Sequence, residues 1–338
     1  MAPLLEVKHL ETSFFTHVGE IEAVRDVSFT LEHGQVLGIV GESGSGKSVS
    51  ALSIMGLIES PGKIKGGKVL FEGKEISSLN NGQMSEIRGN EISMIFQEPM
   101  TSLNPVYTIE NQMVEVIRRH QKINSKDATK LAIDMLKLVG IPEPAKRIKS
   151  YPHEFSGGMR QRVMIATALS CGPKLLIADE PTTALDVTIQ AQILELMNDL
   201  KNRVNTSIII ITHDLGVIAE VCDHIVVMYG GKIMEKGTEK DIFYDPLHPY
   251  TVGLQKSIPK IHKGERARLV PIKGSPPDLL HPPKGCPFAA RCPHAMQICL
   301  ERAPPTYRVS PTHTSACWLL DKNAPKTEGY RTGEAIDG

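Results

Sequence analysis

Near its N-terminus the chain reads Gly41-Glu42-Ser43-Gly44-Ser45-Gly46-Lys47-Ser48. This stretch fits the pattern G-x-x-x-x-G-K-[ST], in which glycines let the backbone wrap around phosphate oxygens with its N–H groups pointing inward. An apolar run precedes it at Val36–Val40, and a helix-forming segment follows from Lys47 to about Met55. The stretch therefore predicts a phosphate-binding loop at the start of a helix. There Lys47 would reach the β- and γ-phosphates of a nucleotide, and the Ser48 hydroxyl would ligate Mg²⁺.

A second apolar run, further along the chain, ends in two acidic residues. Leu175 to Ala178 has the pattern of a buried strand and is followed by Asp179, Glu180 and Pro181. A strand of a parallel sheet presents its last residues at the carboxyl edge of the sheet, where a phosphate-binding loop also lies. There Asp179 would hold Mg²⁺ through water, and Glu180 would polarise the attacking water or accept its proton. Taken alone, this run is equally consistent with an ordinary strand end that carries a solvated acidic pair.

Strands and helices alternate over most of the chain, which predicts an α/β fold with a mostly parallel core sheet. Residues 109–139 have the three- and four-residue apolar spacing of helices, and Ser156 is placed to cap a helix that runs to about Ser170. Further elements are predicted as strands at 27–31, 92–96, 207–212 and 224–229 and as helices at 188–203 and 215–221.

Composition excludes several classes of protein. The chain has 338 residues with 38 Lys+Arg and 38 Asp+Glu, so its formal net charge is zero, which argues against a broad nucleic-acid-binding surface. No apolar run approaches the roughly 20 residues that span a bilayer. Residues 1–9 carry charges and no long apolar segment, so no signal peptide is predicted. We expect a cytosolic chain whose membrane role, if it has one, comes through a partner.

The last part of the chain differs from the rest. Proline becomes dense from Pro259 to Pro311 and the regular apolar periodicity fades, so we place a domain boundary near 258. The predicted domains are therefore 1–258 and 259–338. The second is too poor in apolar residues to build a large core, and four clustered cysteines are candidates to hold it together: Cys286, Cys292, Cys299 and Cys317.

A further set of motifs carries a resemblance to a known family. The segment Phe155-Ser156-Gly157-Gly158-Met159-Arg160-Gln161-Arg162 resembles the signature of the ABC ATPases, usually written L-S-G-G-Q. The other motifs of that family follow the expected order, as Gln97 resembles the Q-loop glutamine, Thr183-Ala184-Leu185-Asp186 the D-loop, and His213 the switch histidine. The resemblance covers about residues 3 to 257. It implies the P-loop NTPase fold of the ABC ATPases, with a mostly parallel core sheet, an antiparallel β subdomain and a helical subdomain at about 98–165.

Two positions depart from the family pattern. Phe155 replaces the leucine of the signature and Met159 replaces its glutamine. The residues that would supply the hydroxyl and the helix-end N–H groups, Ser156, Gly157 and Gly158, are intact. We therefore expect a subfamily variant that remains active.

The resemblance implies that two ATPase domains meet head to tail, with ATP between the phosphate-binding loop of one and the signature of the other. Glu180, His213 and Gln97 would be catalytic, while Ser156, Gly157 and Gly158 would contact the nucleotide held by the partner. Magnesium would be held by Ser48, Gln97 and Asp179. The implied ATP-binding residues of this chain are Phe14, Gly41, Ser43, Gly44, Ser45, Gly46, Lys47, Ser48, Val49, Gln97, Asp179, Glu180 and His213.

The aromatic platform for adenine is placed by counting from Ala23. This count favours Phe14, with Phe15 next. The alternative for Phe14 is a buried strand aromatic, because base stacking and core burial use the same kind of side chain.

The C-terminal segment is similar to the extension of oligopeptide and dipeptide permease ATPases. The similarity rests on Gly274-Ser275-Pro276-Pro277-Asp278-Leu279, on Gly285-Cys286-Pro287-Phe288-Ala289-Ala290-Arg291-Cys292-Pro293, and on Asp245-Pro246-Leu247-His248-Pro249-Tyr250-Thr251. It implies an ATPase subunit at the cytoplasmic face of the membrane that powers import of di- or oligopeptides. The implied partners are two transmembrane permease subunits, a second homologous ATPase subunit and an extracytoplasmic peptide-binding protein, with no nucleic acid.

Three other functions remain open at this point. Nickel or another small solute is an alternative cargo, because related ATPases serve those as well. A soluble ABC ATPase acting on ribosomes or DNA is less well matched, since this chain has one cassette and no long insertion. A metal-regulated binding protein in which ATP is only structural would not need Glu180 and His213.

The gaps between the four clustered cysteines are five, six and seventeen residues. Structural zinc sites commonly include a pair spaced two to four residues apart, which is absent, whereas iron–sulfur ligands are spaced more variably. We therefore expect a [4Fe–4S] cluster, with structural Zn²⁺ or unligated redox thiols as alternatives. His281, His294 and His313 are possible additional ligands.

Overall fold

The computed structural model describes residues 2–97, 102–182, 187–204, 206–219, 221–257 and 271–336. The chain forms two units, of which the first comprises Met1–Leu31, Gln35–Ser77 and Thr212–Gly338 and the second Glu32–Gly34 and Ser78–Ile211. Three of the predicted features lie outside the described residues. They are the D-loop resemblance at residues 183–186, the domain boundary predicted near 258 and the first residues of the predicted helical subdomain.

The β-strands within the described residues are Leu5–Thr16 (β1), Gly19–Leu31 (β2), Val36–Val40 (β3), Gly62–Phe71 (β4), Lys74–Glu75 (β5), Ile92–Ile95 (β6), Leu175–Asp179 (β7), Ser207–Thr212 (β8), His224–Tyr229 (β9), Lys232–Thr238 (β10), Thr306–Arg308 (β11), Thr314–Ser315 (β12) and Glu334–Ile336 (β13). The helices are Lys47–Ile54 (α1), Asn81–Ile87 (α2), Ile109–His120 (α3), Ser125–Leu138 (α4), Pro144–Arg147 (α5), Gly157–Leu169 (α6), Val187–Val204 (α7), Leu215–Ile218 (α8), Glu239–Tyr244 (α9), Pro249–Lys256 (α10) and Gln297–Glu301 (α11). Short 3-10 turns occur at Pro152–Glu154, Ala289–Arg291 and Trp318–Leu320.

An antiparallel sheet in the first unit is built around β1. This strand pairs with β2 on one side and with β4 on the other, and β5 extends the β4 edge. Leu5, Val7 and Leu10 of β1 are buried and belong to the core of this unit. The expected antiparallel β subdomain is therefore confirmed.

A second group of strands in the first unit carries the phosphate-binding loop. β3 pairs in parallel with β9, and β10, β12, β11 and β13 continue from β9 in antiparallel order. All five residues of β3 are buried, as expected for a strand covered on both faces. Of the three short C-terminal strands, β12 pairs with β10, and β11 lies between β12 and β13.

The second unit contains parallel strands and a group of helices. β7 pairs in parallel with β6 and with β8, which confirms the predicted parallel arrangement. Helix α3 illustrates why the helices form: Thr108 caps it by accepting a hydrogen bond from the Asn111 N–H. Its apolar side chains at Ile109, Met113 and Ile117 lie one turn apart on a single buried face.

The predicted helix boundaries are largely confirmed, with one difference. Ser156 caps α6, as expected, and α6 ends at Leu169. Helix α8 ends at Ile218, although the sequence predicts a helix to residue 221. The regular helical hydrogen bonding ends there, because the N–H groups of Val221 and Cys222 both donate to the same carbonyl, that of Ile218. None of the helices in the described part of the chain is long and apolar enough to cross a membrane.

Candidate functional site

The phosphate-binding loop follows β3 directly and ends where α1 begins. A Cβ atom on Gly41 would lie 2.1 Å from the Met228 carbonyl oxygen, so only glycine fits there. Gly46 has φ +97° and a Cβ atom on it would lie 2.4 Å from the Ala23 carbonyl oxygen. Both glycines are therefore required by close backbone approach, and the left-handed φ of Gly46 adds a second reason. The loop conformation that the sequence pattern predicts is present.

Lys47 lies inside this loop and is 5% exposed. Its Nζ donates to the carbonyl oxygens of Gly41 (2.7 Å) and Glu42 (2.9 Å) and to the Ser45 hydroxyl (3.4 Å). An ammonium group held at the centre of the loop can exchange these bonds for stronger ones to phosphate oxygens. The Lys47 ammonium thus lies within the loop that the sequence predicts to bind phosphates.

Glu42, the second residue of the loop, is held from several directions. Its backbone N–H donates to the Tyr250 hydroxyl (2.8 Å). Its carboxylate accepts one hydrogen bond from each terminal nitrogen of Arg291, at 2.6 and 3.0 Å. Arg291 belongs to the C-terminal segment, between two of the clustered cysteines. The sequence pattern leaves position 42 unspecified, and neither Glu42 nor Arg291 was predicted to matter.

The acidic pair lies in the second unit, at the end of β7. Asp179 is the last residue of the strand and is 4% exposed. Glu180 follows with φ +46°, a left-handed conformation that is rare outside glycine, and its N–H donates to the Ile211 carbonyl (2.9 Å). Its carboxylate accepts a hydrogen bond from the Gln97 side-chain amide (2.9 Å). The structure therefore brings Gln97 and Glu180 together, although they are 83 residues apart.

The remaining residues predicted to act in cis lie in the first unit. His213 follows β8 and is exposed, and the next residue, Asp214, caps α8 by accepting from the Gly216 N–H (2.8 Å). Phe14 is half-buried, and a Cβ on Gly62 would come within 2.8 Å of its ring. Phe15 is more exposed, at 44%, with the Lys63 ammonium 5.9 Å from its ring centroid.

The signature segment presents its small residues at a surface of the second unit. Ser156 and Gly157 are exposed, and the Ser156 hydroxyl accepts from the Met159 N–H (3.3 Å). Phe155, the residue that departs from the family pattern, is buried and packs beneath the Arg147 guanidinium. An added Cβ on Gly158 would lie 3.0 Å from Ile189 Cγ2, so this glycine lets α6 approach α7 closely. The exposed residues leave the N-terminus of α6 open to a ligand or a partner.

The four clustered cysteines lie around one small cavity in the first unit. Cys286, Cys292, Cys299 and Cys317 all line it, together with His248 and His294. Burial raises the pKa of Cys286 to about 12, with the neighbouring cysteines adding to the shift, and burial likewise raises the pKa of Cys292 and Cys317. Thiols that resist ionisation in this way need a bound cation before they can become thiolates together. Thiolates are ligands of iron and zinc, so the types of donor at this cavity are those of a metal site.

No three His, Cys, Asp or Glu residues in the described part of the chain are grouped closely enough to hold a single metal ion. One ion at about 2.3 Å from each sulfur needs the sulfurs close together, whereas the four thiolates of a cluster bind four different iron atoms. Of the other histidines considered, His294 lines the cavity, while His313 is fully buried and pairs with Glu235 (2.7 Å). His281 is exposed and lies 3.6 Å from Asp278.

Comparisons with known proteins agree with this arrangement. Residues 24–183 match the ABC transporter family model, and residues 234–299 match the model of the oligopeptide/dipeptide transporter C-terminal region. The oligopeptide transport ATP-binding protein OppD of Bacillus subtilis is 57% identical over 326 residues, 96% of this chain and 91% of the relative. The dipeptide transport ATP-binding protein DppD of the same organism is 54% identical over 338 residues, the full length of both.

Solved structures give the same result for the fold. A dimeric ATP-binding cassette in a post-hydrolysis state with ADP and Pi superposes with a TM-score of 0.63 at 25% identity, covering 70% of this chain and 98% of that one. A cassette of the cbiONQ transporter complex from Clostridium perfringens gives 0.61 at 27% identity, covering 72% and 91%. With the phosphate-binding loop, the signature and the full-length relatives all in agreement, this chain belongs to the family of ATP-binding subunits of oligopeptide and dipeptide ABC transporters.

Proposed function

We propose that this ABC-type ATPase subunit powers the import of di- and oligopeptides, with ATP held between it and a second ATPase subunit. The observation that carries the proposal is full-length similarity above 50% to ATP-binding proteins of oligopeptide and dipeptide transport. The cargo assignment rests on those relatives, because no described residue of this chain is expected to touch a peptide. Nickel or another small solute is the competing cargo.

The residue roles in this proposal are those that the resemblance to the ABC ATPases implies. Lys47 and Ser48 bind the phosphates and Mg²⁺, with Gly41, Ser43, Gly44, Ser45, Gly46 and Val49 completing the loop. Asp179 and Gln97 complete the magnesium shell, Glu180 polarises the attacking water, and His213 contacts the γ-phosphate. The Gln97–Glu180 hydrogen bond supports this, because the amide fixes the direction of the carboxylate before water arrives.

The signature is proposed to act on the nucleotide of the second subunit. Ser156, Gly157 and Gly158 form the open N-terminus of α6, where backbone N–H groups and the helix dipole favour negative charge. The exposure of Ser156 and Gly157 supports a role across an interface. Adenine would stack on Phe14, whose ring packs against Gly62, or on the more exposed Phe15.

The proposed location is the cytoplasmic face of the membrane, as a peripheral subunit on two transmembrane permease subunits. Exposed apolar side chains in the second unit support a docking surface, namely Val106, Tyr107 and Tyr151. The segments that carry them lie side by side, since the Ile109 N–H donates to the Ser150 carbonyl (3.0 Å). An extracytoplasmic peptide-binding protein would deliver the cargo. We also propose the domains 1–258, including a helical subdomain at about 98–165, and 259–338.

The cargo is tested by uptake into proteoliposomes that contain the two permease subunits, both ATPase subunits and the binding protein. Labelled dipeptides, longer peptides and ⁶³Ni²⁺ would be compared with ATP or ADP inside the vesicles. We expect ATP-dependent accumulation of a peptide, competed by unlabelled peptides and unaffected by Ni²⁺. ATP-dependent accumulation of nickel without peptide uptake would overturn the cargo assignment and leave the ATPase assignment standing.

We propose further that Cys286, Cys292, Cys299 and Cys317 hold a [4Fe–4S] cluster, with Zn²⁺ as the alternative. Support comes from the four thiols lining one cavity and from the raised pKa values of three of them. When bound, such a cluster would link residues 286–292 to the segments around Cys299 and Cys317. Its role is then structural, in a segment with few apolar residues.

Anaerobic purification followed by metal and sulfide analysis distinguishes the two groups. We expect about four irons and four sulfides per chain, with a broad absorption near 400 nm that Cys292→Ser and Cys317→Ser abolish. One zinc per chain without iron would contradict the cluster.

A further inference from the structure

The cysteine-bearing segment reaches the phosphate-binding loop through one side chain, Arg291. Its two terminal nitrogens meet the two carboxylate oxygens of Glu42 at 2.6 and 3.0 Å, which is the paired geometry that makes arginine–carboxylate contacts strong. The Arg291 side chain is 5% exposed and that of Glu42 is 27% exposed. The pair is therefore largely shielded from solvent, unlike ordinary surface ion pairs.

The position of the guanidinium is fixed independently of Glu42. Arg291 donates from Nε to the Lys273 carbonyl (2.9 Å), from Nη2 to the Ile272 carbonyl (3.0 Å) and from Nη1 to the Tyr229 hydroxyl (3.0 Å). The guanidinium also lies over the rings of Tyr229 and Phe288, with centroid distances of 5.6 and 5.9 Å. Arg291 is thus held in place by contacts other than Glu42, and it in turn fixes the position of the Glu42 carboxylate.

Glu42 in turn is bonded at each of its polar groups. Its N–H donates to the Tyr250 hydroxyl, and its carbonyl accepts from the Lys47 ammonium (2.9 Å) and the Ser45 N–H (3.2 Å). The Tyr250 ring packs on Tyr229 and Phe288, at centroid distances of 4.6 and 5.3 Å. One cluster of side chains therefore fixes the second residue of the phosphate-binding loop in place.

The charge of Glu42 has a consequence for nucleotide binding. A carboxylate within the loop repels the phosphates of a nucleotide unless a cation neutralises it. Arg291 supplies that cation. Removing Arg291 would leave the Glu42 charge uncompensated, whereas removing both charges together would not.

We propose that Arg291 is a positioning residue for nucleotide binding, which neutralises Glu42 and holds the phosphate-binding loop in its binding conformation. The C-terminal segment is thereby part of the machinery that sets ATP affinity. Arg291 directly precedes Cys292, so the fold of the cysteine-bearing segment determines where the guanidinium lies. The inference rests on the proposed role of the phosphate-binding loop, and Lys47→Ala serves to test that role separately.

The test compares Arg291→Ala, Arg291→Lys, Glu42→Gln and the double variant Arg291→Ala/Glu42→Gln. The dissociation constant for a fluorescent ATP analogue would be measured on each full-length chain, together with KM and kcat for ATP in the assembled transporter. Arg331→Ala is the matched control, because Arg331 also forms an ion pair with a carboxylate, that of Asp245, but at an exposed site and not with a residue of the loop.

We expect Arg291→Ala to raise the dissociation constant and KM about tenfold or more with kcat within about threefold of wild type, because the defect lies in binding. Arg291→Lys should recover part of the affinity, since it restores the charge without the paired geometry. Glu42→Gln should lower the affinity for the ATP analogue less than Arg291→Ala does. The double variant should bind the analogue more tightly than Arg291→Ala alone. High salt should reduce the Arg291→Ala defect by screening the exposed charge.

Three results would overturn the inference. They are an unchanged dissociation constant in Arg291→Ala, a double variant as weak as or weaker than Arg291→Ala, and an equal loss in Arg331→Ala. If Arg291→Ala does not fold, as judged by its melting transition, the comparison of Glu42→Gln with the double variant decides, because tight binding by the double variant is predicted. If Lys47→Ala binds ATP normally, the proposed loop itself fails, which is distinct from failure of the Arg291 role.

Discussion

Glu180 occupies a backbone conformation that few residues with a side chain adopt. With φ +46° it carries strain that typically costs about 1–3 kcal/mol and persists when the surroundings over-determine it. Here the surroundings are the Ile211 carbonyl, which accepts its N–H, and the Gln97 amide, which binds its carboxylate. Such strain at the end of a buried strand is typical of a residue whose side chain must point in one direction for chemistry.

Replacing Glu180 with glutamine should therefore remove turnover and keep ATP binding. Glutamine has nearly the same shape, and it can neither accept a proton nor polarise water as a carboxylate does. We expect kcat to fall by about 10² or more, with the ATP dissociation constant within a few-fold of wild type. Phosphate release and equilibrium binding measure the two quantities, and Glu195→Gln, on an exposed position of α7, is the control. Normal turnover in Glu180→Gln would reject the catalytic assignment.

Lys47→Ala, unlike Glu180→Gln, should weaken ATP binding itself, because the Lys47 ammonium is proposed to bind the phosphates. Loss of a charge-assisted hydrogen bond costs about 1.5–3 kcal/mol, so we expect ATP affinity to fall by about ten- to a hundredfold. Isothermal titration with an ATP analogue measures this loss. Lys240→Ala, at an exposed position of α9, controls for a change of overall charge. Unchanged ATP affinity in Lys47→Ala would remove the lysine from the site.

At this scale the sequence predicted the residue types well and their contacts poorly. The positions of Gly41, Gly46 and Lys47 follow from a local pattern, because one turn of backbone fixes all three. The Arg291–Glu42 pair joins residues 249 positions apart. Nothing in a single sequence indicates which of many arginines meets which of many carboxylates, so only the folded chain reveals this contact.

Helix α9 shows how one carboxylate holds two elements together. Asp241 accepts hydrogen bonds from the Thr238 N–H (2.9 Å) and hydroxyl (2.7 Å), which cap the helix, and from the Thr312 hydroxyl (2.9 Å) just before β12. Partial burial alone would raise the pKa of Asp241, but the hydrogen bonds from Thr238 and Thr312 hold it below its ordinary value of 3.8. The charged form is therefore the stabilising one.

Asp241→Asn should lower the free energy of unfolding by about 1–2 kcal/mol at neutral pH, since hydrogen bonds to a charged acceptor are lost. The folded-state pKa is depressed, so this stabilisation is present above pH 3.8 and is lost as pH falls through the folded-state pKa. The difference between wild type and variant should thus shrink below about pH 4. Urea titrations at several pH values measure it, with Asp245→Asn, whose partner Arg331 is exposed, as the control. A pH-independent difference would contradict the argument.

The elements themselves were predictable where periodicity or capping is strong. Ser156 and the apolar run of β7 mark their elements without ambiguity, and the structure confirms both. The three short strands β11, β12 and β13 were not predicted, because each has two or three residues and takes its stability from pairing with β10 or with each other. The sequence around them shows only dense proline and loss of periodicity.

At the scale of the whole chain, the proposed mechanism assigns this chain parts of two different ATP sites. The phosphate-binding loop with its lysine would serve one nucleotide, and the exposed signature at the start of α6 would serve another. A single chain therefore completes neither site in the proposed mechanism, and hydrolysis becomes an event of a pair of subunits that moves a permease. The motif order predicted this division of labour by resemblance, and the exposure of Ser156 and Gly157 supports it.

The most direct test of this shared site is the mass of the Glu180→Gln chain, measured by light scattering with and without ATP, alone and mixed with the second ATPase subunit. The proposed mechanism predicts that ATP drives a stable pair, and that adding Gly157→Asp prevents it by setting a negative charge against the partner's γ-phosphate. Asp at the first position of α6 suits the helix dipole, so this variant should fold normally. A Glu180→Gln chain that binds ATP tightly yet stays monomeric, both alone and with the second ATPase subunit, would contradict the shared site.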